Sequence, residues 1–225
     1  MKIKMNLKIT LITFLLAFTF FGCKKENTFT DYKYADKPAF LTCDGVNVKL
    51  YQEALYSFED DILNFYSKNN AKATLVSSYS QLMRNSIYGR IKYEDIISAH
   101  TLKVFEALKN EVNLWDANNT KSHLNYNSKV VKCISNNMQD KNLQTTFNAL
   151  VTTNSMSPKL FGTPLMTKYR TALNDKHLAT YIALDLYYAK LFDIDFSKVN
   201  LDKPDEANLD FNVIPQKSNT NTEAK

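Results

Sequence analysis

Apolar residues recur in steps of three and four along most of the chain, and this spacing limits the fold more than any other feature of the sequence. Between residues 50 and 66 they share one helical face: Tyr51, Ala54, Leu55, Phe58, Ile62, Phe65 and Tyr66. Similar stripes continue to residue 192, and no strand-like alternation of comparable length occurs in the sequence. The spacing predicts an all-α domain over residues 42–196, most simply a single up-and-down bundle of six or seven helices.

Several helix boundaries are marked by capping residues. Residues 157–158 are Ser-Pro and residues 163–164 are Thr-Pro, so we expect a helix to begin at each proline. Asp140 is a predicted N-cap, and the acidic residues Glu94 and Asp95 predict the first turn of the third helix. The last helix, over about 176–192, is apolar nearly all round and is expected at the centre of the bundle.

Glycine is scarce, and this excludes several classes of enzyme. The chain has four glycines, Gly22, Gly45, Gly89 and Gly162, and each stands alone. A dinucleotide-binding fingerprint, a phosphate-binding loop and a Gly-x-Ser-x-Gly nucleophile elbow all need closely spaced glycines. None of these motifs can be written anywhere in the sequence.

The first 23 residues have the layout of an export signal. Lys2, Lys4 and Lys8 are followed by an uncharged stretch, residues 9–21, that ends at Gly22-Cys23. Thirteen residues are too few for a transmembrane helix, which needs about 20 apolar residues. We therefore expect residues 1–22 to be a cleaved signal peptide.

The segment Phe20-Phe21-Gly22-Cys23 resembles the lipobox of bacterial lipoproteins. That resemblance implies that Cys23 is acylated and becomes the new amino terminus, so that the protein is held to a membrane of the cell envelope. We expect the outer membrane rather than the inner one, with residues 23–41 as a tether; the side of the membrane stays open. The alternative is an ordinary cleaved signal with a chance cysteine.

The net charge of the chain gives no reason to expect an anionic partner. The formal charge is +5, from 28 basic and 23 acidic residues. Loss of Lys2, Lys4 and Lys8 with the signal leaves 25 basic against 23 acidic residues. Because no basic run is interleaved with aromatic residues, nucleic acid is not expected as a partner.

Residues 197–225 are polar with few apolar residues, which predicts an extended or disordered tail.

Cys43 and Cys133 remain if Cys23 is acylated, and an exported chain meets oxidising conditions. We expect a disulfide between them, which would close a loop of 90 residues. The alternatives are two separately buried thiols or a metal site. A metal site is not predicted, because no Cys-x-x-Cys pair or nearby histidine completes a ligand cluster.

The most suggestive polar line lies on the last helix. His177, Tyr181 and Asp185 are spaced by one turn each, so they stack on one side of that helix. Asp185 stands between Leu184 and Leu186, where a carboxylate needs a partner or a raised pKa. Two interpretations remain: a hydrogen-bonded network in the core, or a functional carboxylate in a polar pocket between helices.

Other titratable residues have plainer interpretations. His100 falls on or beside the inward face of the third helix, which predicts a hydrogen-bonded histidine or, alternatively, a ligand or proton-transfer group. His123 lies in a polar connection and is expected to be solvated. Glu59 and Asp61 flank the apolar face of the first helix within the acidic run at 59–61, which predicts a solvated surface.

No sequence pattern predicts a cofactor or a catalytic residue. The Glu-x-x-His pairs of di-iron bundles and the Cys-x-x-Cys-His haem motif do not occur, and nothing marks a nucleophile. We therefore expect a non-catalytic binding or assembly module that presents a helical surface to another envelope component, such as a protein. The alternative is a small-molecule or metal-binding protein, or an enzyme, with a pocket around His177, Tyr181 and Asp185.

Overall fold

The computed structural model describes residues 29–68 and 70–199, and these form seven α-helices and no β-sheet. The helices are α1 (Val48–Ser67), α2 (Leu75–Ile87), α3 (Ala99–Lys109), α4 (Lys129–Asn137), α5 (Lys141–Thr152), α6 (Pro158–Met166) and α7 (Lys176–Leu186). The predicted all-α bundle is confirmed. The predicted signal peptide, the lipidation site Cys23 and the tail from residue 200 onward lie outside the described residues.

Helices α1 and α7 lie at the centre of the bundle. α1 packs against α2, α3 and α7, while α7 also contacts α2 and α4. Nine successive residues of α7, at 178–186, are buried. Because a helix that is apolar all round needs neighbours on several sides, α7 takes the central position that its composition predicts.

Two of the predicted N-caps are confirmed. Ser157 precedes Pro158, and its hydroxyl accepts a hydrogen bond from the backbone N–H of Leu160 at 3.2 Å. The carboxylate of Asp140 accepts from the backbone N–H of Leu143 at 3.1 Å and starts α5. Each side chain satisfies a donor that the first helical turn leaves without a partner.

The helix start predicted at Pro164 is wrong, because α6 continues through Pro164 to its end at Met166. α6 packs closely on α2 at Gly162, where an added Cβ would lie 2.6 Å from the Ile87 side chain. This packing holds the last turn of a short helix. It outweighs the single hydrogen bond that the missing proline N–H removes.

Two helices are shorter than predicted. α3 begins only after its N-cap Ser98, and residues 93–95 form a separate 3₁₀ turn. α7 ends before Tyr187, and the next residues form a 3₁₀ turn up to Asp193. The Tyr187 hydroxyl donates to Asp61 of α1 at 2.6 Å, and that of Tyr188 donates to a carbonyl of α1. These two bonds to α1 explain why the chain leaves the α-helical path there.

Residues 29–41, which belong to the predicted tether, pack against the bundle. Tyr34 is 8% exposed and Leu41 is 3% exposed. Glu53 of α1 accepts hydrogen bonds from the backbone N–H groups of Lys33 and Tyr34 at 2.7 and 3.0 Å. The packed part of the chain therefore begins before residue 42, because α1 supplies a buried acceptor for this segment.

Cys43 and Cys133 lie at disulfide-bonding distance, with their Cα atoms 5.9 Å apart. The structure thus supports the predicted pairing, which joins the segment before α1 to α4. In the chain-entropy account, closing a loop of this length stabilises the fold by about 4.6 kcal/mol. Among residues 29–68 and 70–199, no helix is both long enough and apolar enough to cross a membrane.

Candidate functional site

Asp185 of α7 is fully buried and accepts hydrogen bonds from three hydroxyl groups. Tyr181, one turn earlier on α7, donates to Oδ2 at 2.6 Å. Tyr126 donates at 3.1 Å to Oδ1, and Ser122 donates to the same oxygen. The structure therefore brings Tyr181 and Asp185 together as their spacing suggests, and it adds two residues from the loop before α4.

Burial governs the ionisation of this network. It raises the pKa of Asp185, while the hydrogen bonds from Ser122, Tyr181 and Tyr126 oppose that rise. Burial also raises the pKa of Tyr181 well above its usual range, and the charge of Asp185 adds to the effect. The three hydroxyls therefore stay protonated and act as donors, which ties α7 to the loop that contains Ser122 and Tyr126.

His177 does not join this network, although it shares the helical spacing of Tyr181 and Asp185. Its Nε2 atom is buried without a hydrogen-bond partner among the described residues. Burial lowers the pKa of His177, and the neighbouring charge of Asp175 opposes that shift. Spacing by one turn places residues on the same side of a helix, but here only the second pair is close enough to bond.

His100 belongs to a different contact. It is 7% exposed, and its Nε2 lies 2.6 Å from Oε1 of Glu53. Its Nδ1 lies 4.0 Å from Oδ2 of Asp31. Since Glu53 also holds the backbone N–H groups of Lys33 and Tyr34, His100 helps to fix residues 29–34 against α1 and α3.

The solvated surface predicted for the acidic run at 59–61 is wrong for two of its residues. Glu59 is 7% exposed and Asp61 is 4% exposed, because α2, α3 and α7 cover the flanks of α1. Glu59 accepts from the Tyr79 hydroxyl at 2.9 Å and the Lys176 ammonium at 2.7 Å. Both flanking acids thus face neighbouring helices that supply donors.

Asp61 is a second buried carboxyl with a raised pKa. Burial raises its pKa to about 6. Tyr187 donates to its Oδ2 at 2.6 Å and the backbone N–H of Ser98 donates at 3.2 Å, and these bonds oppose the rise. In the sequence, the position of Asp61 on the flank of the apolar face, directly before Ile62, is a weak signal of this burial.

The loop over residues 113–128, called the amide loop below, is closed by its own hydrogen bonds. Trp115 and Leu124 form an isolated antiparallel β-bridge. The Asn119 side chain donates to the Leu124 carbonyl at 2.7 Å, and that of Asn125 donates to the Asn113 carbonyl at 2.9 Å. A connection that the sequence presents only as polar is therefore an ordered element.

A cleft of about 330 Å³ lies between the amide loop and the end of α5. It is called the amide cleft below. Asparagine side chains line it from both sides, at Asn118, Asn119, Asn125, Asn127 and Asn154. Tyr126 also lines it, so the residue that bonds to Asp185 forms part of its wall, whereas His177, Tyr181 and Asp185 do not.

Within the described residues, no group of three or more His, Cys, Asp and Glu side chains could hold a metal ion.

An aromatic cluster includes Trp115 and His123 of the amide loop, neither of which lines the amide cleft. The ring of Phe192 lies 5.0 Å from those of Phe105 and Trp115, and Phe196 lies 6.1 Å from Phe105. The His123 ring is 5.2 Å from that of Phe192, and its Nε2 bonds to a carboxylate oxygen of Asp193, so this histidine is paired rather than only solvated. We call Trp115, Phe192 and Phe196 the aromatic surface.

Comparison of the chain with protein-family models, with curated proteins and with solved structures finds no match. The fold and the arrangement of side chains therefore carry the functional argument alone.

Proposed function

We propose that this chain is a lipid-anchored protein of the cell envelope that binds another envelope protein through its aromatic surface and catalyses no reaction. The anchor in this proposal is acylated Cys23, which the lipobox-like sequence supports. The binding role is supported by one observation above all, the exposure of two phenylalanine rings that both pack on the same buried ring of the core.

The aromatic surface has the composition of a protein-binding surface. Phe192 is 38% exposed and Phe196 is 36% exposed, although both contact the buried ring of Phe105. Aromatic residues are enriched in protein interfaces, because they bury a large area with few rotatable bonds. Rings that already pack on the core on one side are held in place for a partner on the other.

Two acidic residues next to the aromatic surface in the sequence each contact a basic residue. Asp193 follows Phe192 and lies 2.8 Å from His123, while Asp195 precedes Phe196 and lies 3.3 Å from Lys198. An apolar centre with a polar rim is the usual anatomy of an interface. Because each acid has a basic partner, this rim favours a protein partner with an apolar, uncharged patch over a strongly charged one.

The anchor is tested by expressing the full chain with an alkyne-tagged fatty acid and comparing it with Cys23→Ser. We expect label and membrane association in the parent chain and neither in the variant, while Cys43→Ser keeps both. Label that persists in Cys23→Ser would exclude Cys23 as the anchor.

The binding role is tested by photocrosslinking in cells, with a photoreactive phenylalanine placed at Phe192 or at Phe196. We expect one crosslinked envelope protein at both positions, and none when the probe replaces Tyr88, which is also exposed but lies on α2's C-cap. Two results would contradict the proposal. One is an adduct of equal yield at Tyr88; the other is an adduct only with residues 200–225 of the same chain, which would make the aromatic surface an internal contact.

A further inference from the structure

The asparagines of the amide cleft fall into two groups. Asn119 and Asn125 use both ends of their amides within the loop, each donating to a carbonyl and accepting a backbone N–H. The side chains of Asn118, Asn127 and Asn154 make no hydrogen bond to any residue that the structure describes. Three amides therefore line the cleft with both a donor and an acceptor available.

The charges that line the cleft are balanced. Asp116 supplies one carboxylate and Lys121 supplies one ammonium group. One oxygen of Asp116 already accepts a hydrogen bond from the backbone N–H of Asn118 at 2.9 Å, so part of its hydrogen-bonding capacity is used within the loop. A site of this kind offers no net charge to an anion or a cation, which favours an uncharged ligand.

Apart from Thr120, the remaining wall of the cleft is mostly apolar. Leu124 and Tyr126 come from the amide loop, and Val151 and Met156 come from the end of α5 and the segment after it. A ligand that fits must therefore combine an apolar face with groups that both donate and accept hydrogen bonds. A sugar ring has both, because its C–H bonds form one face and its hydroxyls project around the edge.

We propose that the amide cleft binds a neutral oligosaccharide. The unused amides match hydroxyl groups, each of which also donates and accepts, and the apolar wall matches the C–H face of a sugar ring. The volume of about 330 Å³ lies in the range of small-molecule sites, which is roughly 300–1,000 Å³. This inference goes beyond the proposed protein-binding role, since no residue of the aromatic surface lines the amide cleft.

The cleft is formed before any ligand binds. Tyr126 is fixed by its hydrogen bond to buried Asp185, and the β-bridge of Trp115 and Leu124 closes the loop. Asn154 has a φ of 53°, a conformation that asparagine tolerates better than most residues, and it follows directly on the C-cap of α5. Because the wall is already in place, less conformational entropy is lost when a sugar binds. Weak individual contacts can then be sufficient for binding.

The test is titration calorimetry of the purified protein with maltotriose, cellotriose and chitotriose. Trigalacturonate, inorganic phosphate and a blocked triglycine peptide serve as comparison probes. The variant is Asn118→Ala combined with Asn127→Ala, and the matched control is Asn148→Ala, an exposed asparagine of α5 outside the cleft. Thermal unfolding of all three proteins establishes that each is folded.

We expect at least one neutral trisaccharide to bind, with affinity falling about tenfold or more in the double variant and unchanged in the control. The proposal is overturned if no neutral trisaccharide binds, if the charged or peptide probes bind more tightly, or if the double variant binds like the parent chain. Photocrosslinking at Phe192 reads out the protein-binding role separately, so either proposal can fail alone.

Discussion

The amide loop supplies polar side chains both to the buried network around Asp185 and to the amide cleft. The two regions differ in whether these side chains are hydrogen-bonded within the protein. Ser122 and Tyr126 point inward, and their hydroxyls bond to the buried carboxylate of Asp185. Asn118 and Asn127 line the amide cleft without a side-chain partner among the described residues. Burial requires every polar group to be paired, because an unpaired one costs free energy, whereas a concave surface can leave its groups for a ligand. Pairing thus separates side chains that hold the fold from side chains that are available for binding.

The largest loss in the free energy of unfolding is expected for Asp185→Ala. The substitution leaves the hydroxyls of Ser122, Tyr126 and Tyr181 without their acceptor and creates a small cavity, so we expect the free energy of unfolding to fall by about 3–5 kcal/mol. Urea unfolding of the purified protein measures this loss. Hydrogen exchange should also speed up in the amide loop, which loses its tie to α7.

Asp185→Asn is the matched control, because it keeps the volume and one acceptor oxygen. It should cost clearly less than Asp185→Ala. If the alanine variant lost under about 1 kcal/mol, the core network would contribute no more than a surface contact, and the contrast with the cleft would not hold.

The pH dependence of stability also tests the difference between the buried polar groups and those of the cleft. One of the buried groups, Asp61, is a carboxyl with a raised pKa. The pKa of Asp61 rises from 3.8 to about 6 on folding. The folded protein therefore binds a proton that the unfolded chain releases between these two pKa values. The stability contributed by this protonation is fully present below pH 3.8 and is lost as the pH rises through about 6.

The expected loss between these limits is about 3 kcal/mol relative to Asp61→Asn, which has no carboxyl to titrate. Unfolding curves of both proteins at a series of pH values measure the difference. Parallel pH profiles for the two proteins would show that Asp61 is ionised in the folded state throughout the range.

A smaller effect is expected for Glu59→Gln. Glu59 accepts from Tyr79 and from Lys176, whose side chain is 25% exposed, so water partly replaces the lost ion pair. We expect a loss of about 1–2 kcal/mol in the free energy of unfolding. A double-mutant cycle with Lys176→Met isolates the pair, and a coupling energy near zero would assign the loss to the Tyr79 contact alone.

The sequence predicts the helices well because burial along one face repeats with the helical period, and that period can be read from apolar residues alone. Helix ends depend on contacts from distant parts of the chain. α6 continues through Pro164 because Gly162 packs on α2, and α7 stops at Tyr187 because its hydroxyl reaches Asp61. Neither contact has a local signal in the sequence.

In the candidate site, too, some contacts follow from local spacing and others depend on distant parts of the chain. Tyr181 and Asp185 are one turn apart on one helix, so their contact follows from spacing. Ser122 lies 63 residues before Asp185, and no local pattern places its hydroxyl there. The sequence does not predict the burial of Glu59 for a related reason, because the helical period does not show how many neighbouring helices cover the flank of an apolar stripe.

The smallest effect separates the two groups of asparagines within the cleft itself. Asn118→Ala and Asn127→Ala remove amides that bond to no described residue, so each should change the free energy of unfolding by less than about 0.5 kcal/mol. Asn119→Ala is the control, because its amide holds the Leu124 carbonyl and the Lys121 backbone N–H. We expect it to cost about 1–2 kcal/mol, measured by urea unfolding under the same conditions. Equal losses at Asn118 and Asn119 would mean that both support the loop, and the cleft would then have fewer amides to offer a ligand. A neutral Asn118 beside a costly Asn119 would instead place the boundary between structure and binding inside a single pair of neighbouring residues.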